Sequence, residues 1–165
     1  MLSIYLLRHP GIVQALAGTT QQEAVRIGRF LSMGVHNAVE LISGTEKSAV
    51  DYATLVASSV GSQVRHDVRL RDLSLHRLEQ EVHRARVRDW FDAIVIPRRR
   101  EDLTLIVVAH GVTVNHVLAC FRGAAERSPN EYVFKLGTGH FHRIRSLALK
   151  EEPSLWEIEF IDAPT

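Results

Sequence analysis

Three short clusters in this chain carry side chains suited to one chemistry: Arg8-His9, Ser43-Gly44-Thr45-Glu46 and His110-Gly111. An arginine grips a phosphate or carboxylate through a planar fork of N–H donors. A neutral histidine can attack phosphorus through a ring nitrogen, and a second, protonated histidine can stabilise the oxygens in transit. The start of a helix presents free N–H groups and the positive end of a dipole, which attracts phosphate. Together these are parts for phosphoryl transfer without a metal. Singly each has a plainer reading, since a histidine at a strand end is most often a polar loop residue. Their coincidence carries the argument, and it depends on the elements that hold them.

Those elements read as alternating strands and helices. Leu2 to Leu7 is an apolar run of strand formers that stops at Arg8-His9-Pro10-Gly11. A capping-box pattern at Thr20-Gln21-Gln22-Glu23 opens a helix through Ala24, Ile27, Gly28 and Leu31, with Gly34 as its stop. Val39 to Ile42 is a second short strand. Ser43-Gly44-Thr45-Glu46 reads as another capping box, before a helix with an apolar stripe at Ala49, Tyr52, Ala53, Val56, Ala57 and Val60 that Gly61 ends. Gln63 to Val68 is a short strand. In the Arg-rich stretch from Arg65 to Arg100, Leu78, Val82, Ala85, Trp90, Phe91 and Ile94 predict a helix closed by Pro97. Leu103 to Ala109 is the strongest strand, covered on both faces, and Val112 to Phe121 is the helix after it. Phe141 to Leu149 and Leu155 to Ile161 are two late strands, paired around Pro153. The pattern predicts one α/β domain over residues 1–165, a three-layer α/β/α sandwich on a mostly parallel sheet. Such sheets bind ligands at the carboxyl ends of their strands, where all three clusters fall.

Composition narrows the class. The 165 residues suit one domain, and a domain of that size buries about 70% of its unfolded surface without a disulfide or metal staple. Apolar residues are 45% and charged residues 24%, which excludes a disordered chain. Lys plus Arg is 20 against 19 Asp plus Glu, a balance that argues against generic nucleic-acid binding. Of those 20 basic residues 17 are Arg, the phosphate-gripping type. Cys120 stands alone, which fits a reducing, cytoplasmic setting and reads as a small packed residue. Met1 to Leu7 is too short for a signal peptide, and no run is long enough to span a membrane.

The apolar strand Ile4-Tyr5-Leu6-Leu7 leading into Arg8-His9-Pro10, and Leu105-Ile106-Val107-Val108-Ala109 leading into His110-Gly111, resemble the two signatures of the histidine phosphatase superfamily, also called phosphoglycerate-mutase-like. Ser43-Gly44-Thr45-Glu46-Lys47-Ser48-Ala49 occupies the place of the family's intervening Ser-Ser-Pro-Leu-x-Arg-Ala pattern. In size the chain is most similar to the small bacterial members that act on phosphohistidine proteins. The resemblance implies His9 as nucleophile, Arg8 and His110 on the phosphoryl oxygens, and Asp72 in Leu70-Arg71-Asp72-Leu73 as the candidate acid for the leaving oxygen. It adds Ser48, Gly111, Thr138 and His140 as pocket residues, with no cofactor and no metal. The implied partner is a phosphorylated small molecule or phosphoprotein, with no nucleic acid and no membrane.

Two departures define an alternative. Pro10 replaces the usual Gly and removes a backbone donor. Ser48 stands where the second phosphate-binding Arg belongs, and losing a charge-assisted contact costs about 1.5–3 kcal/mol. The alternative is a weak or inactive relative that binds a phosphorylated ligand without turning it over. Arg65, Arg69 or Arg143 reaching the pocket favours the enzyme, and their absence favours the binder. His140-x-His142 reads as an exposed polar strand face, His116 as a packed or exposed helix residue, and Arg98-Arg99-Arg100 as a solvated turn.

Overall fold

The computed structural model describes residues 1–9, 19–72, 77–122, 140–146 and 156–162. Among these lie six strands: β1 (Ser3–Arg8), β2 (Ala38–Ser43), β3 (Val64–His66), β4 (Leu103–Ala109), β5 (His140–Ser146) and β6 (Trp156–Asp162). They form one sheet in the order β3-β2-β4-β1-β5-β6. Only β5 runs against the rest, so the sheet is mixed but mostly parallel. Every residue of β4 is buried, as expected of a strand with helices on both faces.

Four helices supply those faces: α1 (Thr19–Gly34), α2 (Lys47–Val60), α3 (Arg77–Trp90), which continues as a wider π turn over Phe91–Val95, and α4 (Gly111–Phe121). Strand side chains alternate between the faces. Tyr5, Leu7, Leu41, Ile106 and Val108 pack with Ala24, Ile27 and Leu31 of α1 and the apolar stripe of α2. Ile4, Leu6, Ile42, Leu105 and Val107 pack with Val87, Trp90 and Phe91 of the α3 segment and Val114, Val117 and Leu118 of α4. This is the three-layer sandwich. Gly61 ends α2 in the left-handed conformation at φ 69°. Among the described residues, no helix is long and apolar enough to cross a membrane.

Register carries this architecture to the site. Arg8 pairs with Ala109 across β1–β4, and Ser43 with Val108 across β2–β4. The carboxyl ends of three neighbouring strands are therefore level, and the residues after them share one edge.

Several local expectations need correction. The stripe assigned to α3 holds at Trp90 and Phe91, which are buried, but not earlier: Val82 is 68% exposed and Ala85 is exposed, while His83 is fully buried with Val87. Treating His83 as polar hid the face that continues through Val87. Glu23 accepts a hydrogen bond from Tyr52 Oη at 3.1 Å, so its carboxylate serves the α1–α2 interface. Glu46 is the N-cap of α2 but makes no side-chain cap bond. His142 is buried, not on an exposed face, and burial pushes its titration down to about 4. Arg98 is not simply solvated, since it donates to Glu40 Oε2 at 2.7 Å. His116 is packed, and Cys120 is half-buried against the core, with burial pushing its thiol up to about 11. Pro10 and Thr138 lie outside the described residues, as does the His140 side chain.

Candidate active site

The structure brings five of the predicted site residues, Arg8, His9, Asp72, His110 and Gly111, together at this edge. His9 follows β1, its N–H donating to the Ala109 carbonyl at 3.2 Å. His110 follows β4 as N-cap of α4. The His9 and His110 ring centroids lie 5.5 Å apart at 58°, a separation that lets both rings touch one phosphoryl group. Arg8 lies against the first residue of α4: a Cβ on Gly111 would sit 3.1 Å from Arg8 Nε and 3.4 Å from Cζ. Gly111 thus acts by leaving room for the guanidinium beside the helix N-terminus, where two sources of positive potential add.

Asp72 completes the group. Its Oδ2 is 3.2 Å from His110 Nδ1, an ion-pair distance, although the ring is not aligned for a hydrogen bond. The pair is partly open, with side-chain exposures of 32% for His110 and 25% for Asp72, whereas His9 is only 2% exposed. Arg69, three residues before Asp72, is engaged elsewhere. It pairs with Asp67 at 2.7 Å and Asp89 at 2.9 Å. Burial works against the Asp67 charge, but the Arg69 hydrogen bonds outweigh it and hold the carboxyl below its ordinary value.

Ser48 is half-buried in the first turn of α2, and no second charged fork comes from the three arginines that were candidates for it. Arg65 pairs with Glu40 at 3.2 Å, Arg69 as above, and Arg143 donates through Nε to Glu159 at 2.7 Å. Arg143 also lies opposite Tyr5, in the middle of β1 and away from its carboxyl end. Lys47, next to Ser48, pairs with Asp51 on the exposed face of α2.

Sequence reasoning missed the residues that hold Asp72. Glu46, read as a cap, accepts instead from the Asp72 N–H. Gly44 makes room for it, since a Cβ there would meet Glu46 Oε2 at 2.6 Å and the Leu70 carbonyl at 3.0 Å. His83 Nε2 lies 3.1 Å from the Arg71 carbonyl, and Arg86 Nη2 donates to the same oxygen at 2.6 Å. The available signal was a histidine on the buried phase of α3. Among the described residues, no group of three or more His, Cys, Asp and Glu could hold a metal ion.

The fold around this edge is shared with solved structures that include phosphatases and phosphoglycerate mutases. A solved mycobacterial glucosyl-3-phosphoglycerate phosphatase in complex with VO3 matches at TM-score 0.71 and 16% identity, covering 98% of this chain and 99% of that one. Bacillus stearothermophilus YhfR matches at 0.72 and 17%, covering 100% and 98%. A phosphoglycerate mutase from Bacillus anthracis matches at 0.72 and 12%, covering 98% and 92%. At these identities the likeness is one of fold. No protein-family model matches the sequence, and no curated protein matches it.

Proposed function

We propose that this chain is a metal-independent phosphohydrolase that passes a phosphoryl group through His9. The observation that carries this reading is the convergence of Arg8, His9, His110 and Asp72 at the carboxyl edge of β1 and β4. A ring nitrogen of His9 attacks phosphorus, and the bond from phosphorus to the leaving oxygen breaks. Arg8 and His110 offset the charge on the other phosphoryl oxygens. The Asp72 carboxyl gives its proton to the leaving oxygen and later takes one from the water that attacks phosphohistidine, so the second half returns His9 and releases phosphate. A phosphatase that shares this fold has been solved in complex with VO3, a phosphate-like oxyanion, which is in keeping with this reading. Turnover requires the His9 ring, 2% exposed here, to become accessible to substrate.

The substrates that fit are small phosphate esters or phosphohistidine proteins, and the lone Cys120 fits a cytoplasmic setting. A second reading, a protein that binds a phosphorylated ligand with little or no turnover, is favoured by Ser48 and by the engagement of Arg65, Arg69 and Arg143 with carboxylates. Kinetics separate the two. The enzyme releases phosphate from para-nitrophenyl phosphate or a phosphohistidine peptide, and His9→Ala abolishes that release. Binding of phosphate or vanadate with no release above the His9→Ala background establishes the binder.

A further inference from the structure

The peptide unit joining Arg71 to Asp72 is gripped at both ends. Its N–H donates to the Glu46 carboxylate, from the start of α2. Its carbonyl accepts from Arg86 Nη2 at 2.6 Å and faces His83 Nε2 at 3.1 Å, both from α3. The charges match the peptide dipole, with an anion at the N–H end and a cation at the C=O end. A carbonyl can only accept, so the His83 proton sits on Nε2 and its Nδ1 is an acceptor. His83 Nδ1 lies 2.7 Å from His116 Nδ1, which must therefore carry the proton between them. Thr113 Oγ1 is a further neighbour of His83 Nε2 at 3.1 Å. His116 and Thr113 both belong to α4, the helix that His110 caps. The chain of contacts thus runs from the His110 helix through His116 and His83 to the peptide carrying Asp72, and closes where Asp72 meets His110 at 3.2 Å.

We propose that His83 is a positioning residue for phosphoryl transfer: with Arg86 and Glu46 it fixes the plane of the Arg71–Asp72 peptide and so aims the Asp72 carboxyl at His110 and the leaving oxygen. This rests on the phosphohydrolase reading above. A buried histidine pair needs hydrogen-bond partners wherever it occurs. Its destination is what gives the pair a role, because the His83 Nε2 proton faces, beside Thr113 Oγ1, the one peptide whose orientation sets Asp72. Burial pushes both rings down to about 4, so at neutral pH each carries a single proton and the arrangement has one direction.

An aimed acid matters for a leaving group that needs a proton and matters little for one that does not. The test is therefore steady-state kinetics on glycerol phosphate, which leaves as an alkoxide, and on para-nitrophenyl phosphate, which leaves as a stable phenolate. His83→Leu is expected to lower kcat on glycerol phosphate roughly tenfold or more, with less than about threefold loss on the aryl ester and little change in KM. His83→Gln, whose amide can still donate to the Arg71 carbonyl, recovers most of that loss. Arg86→Ala, at a partly exposed position of α3, gives the same selective loss at about threefold, and it carries the test with His83→Gln if His83→Leu does not fold. Equal losses on both esters, or an unselective Arg86→Ala together with a His83→Gln no better than His83→Leu, overturn the proposal. If the wild-type protein hydrolyses neither ester, the phosphohydrolase reading fails by itself. Crystal structures of the wild type and His83→Gln, His83→Leu or Arg86→Ala then decide the clamp: an Asp72–His110 separation opened beyond about 4 Å by loss of a donor supports it, and one unchanged in all three overturns it.

Discussion

Two helices begin at the carboxyl edge of the sheet, and they are furnished differently. The start of α4 supplies His110, a Gly111 that makes room for Arg8, and the positive end of its own dipole. The start of α2 offers the same dipole but carries Ser48 in place of a charged fork, and its Glu46 carboxylate turns toward the Asp72 N–H. One helix start gathers positive charge beside His110. The other carries no charged fork at Ser48 and braces the Asp72 backbone through Glu46. The comparison separates two jobs that a phosphoryl-transfer site combines, gripping the oxygens and holding the proton donor. Here the second is better built than the first.

The largest effect expected from breaking this arrangement is at Asp72. Asp72→Asn keeps the shape and removes the proton, so turnover of an alkyl phosphate falls by roughly two to four decades, against a smaller loss on an aryl phosphate. Steady-state kinetics on both esters check it. The next effect tests the buried histidines, two of which, His83 and His116, lie behind the clamp. His83, His116 and His142 titrate at about 4 when folded, against an ordinary value of 6.5. Between those values the unfolded chain binds more protons, so this contribution to stability is full above about pH 6.5, falls as pH drops, and is lost by about pH 4, at most about 3 kcal/mol for each ring. Denaturant midpoints measured from pH 7.5 down to pH 4.5 follow it, and a midpoint that stays flat until the carboxylate range contradicts it.

Adding a cation at the α2 start sharpens the comparison from the other side. Ser48→Arg is expected to raise phosphate or vanadate affinity by roughly one to two decades, read by titration calorimetry. A variant that folds normally but binds no better shows that the α2 start has been reshaped for another ligand. The smallest effect is at Gly44. Gly44→Ala pushes a Cβ against Glu46 Oε2 and the Leu70 carbonyl. It is expected to cost about 1 kcal/mol of stability and to loosen the Asp72 brace, seen as a lowered melting temperature and a selective loss on alkyl phosphates.

The strands and the helices after β2 and β4 were legible in the sequence because their apolar runs are uninterrupted and end in Gly, His or Arg at the sheet edge. Arg8, His9 and His110 were legible for the same reason, since each lies at a clear strand end, whereas Asp72 was suggested by the family resemblance alone. The brace was not legible. Ser43 to Glu46 has capping-box spacing, and only the fold brings Asp72 within reach of Glu46, 26 residues away along the chain. His83 lies among Arg84, Arg86 and Arg88, and its burial follows from where α3 meets α4. Apolar periodicity, which counts histidine as polar, therefore selected Val82 in place of His83.

The central claim is that a phosphoryl group passes through His9, and trapping it is the most direct test. Asp72→Asn mixed with an aryl phosphate, quenched in alkali and digested, is expected to yield the peptide containing His9 with one added phosphoryl group, stable to base and labile to acid. The same treatment of His9→Ala yields none. Turnover with no phosphohistidine at His9, or turnover that survives His9→Ala, contradicts the account.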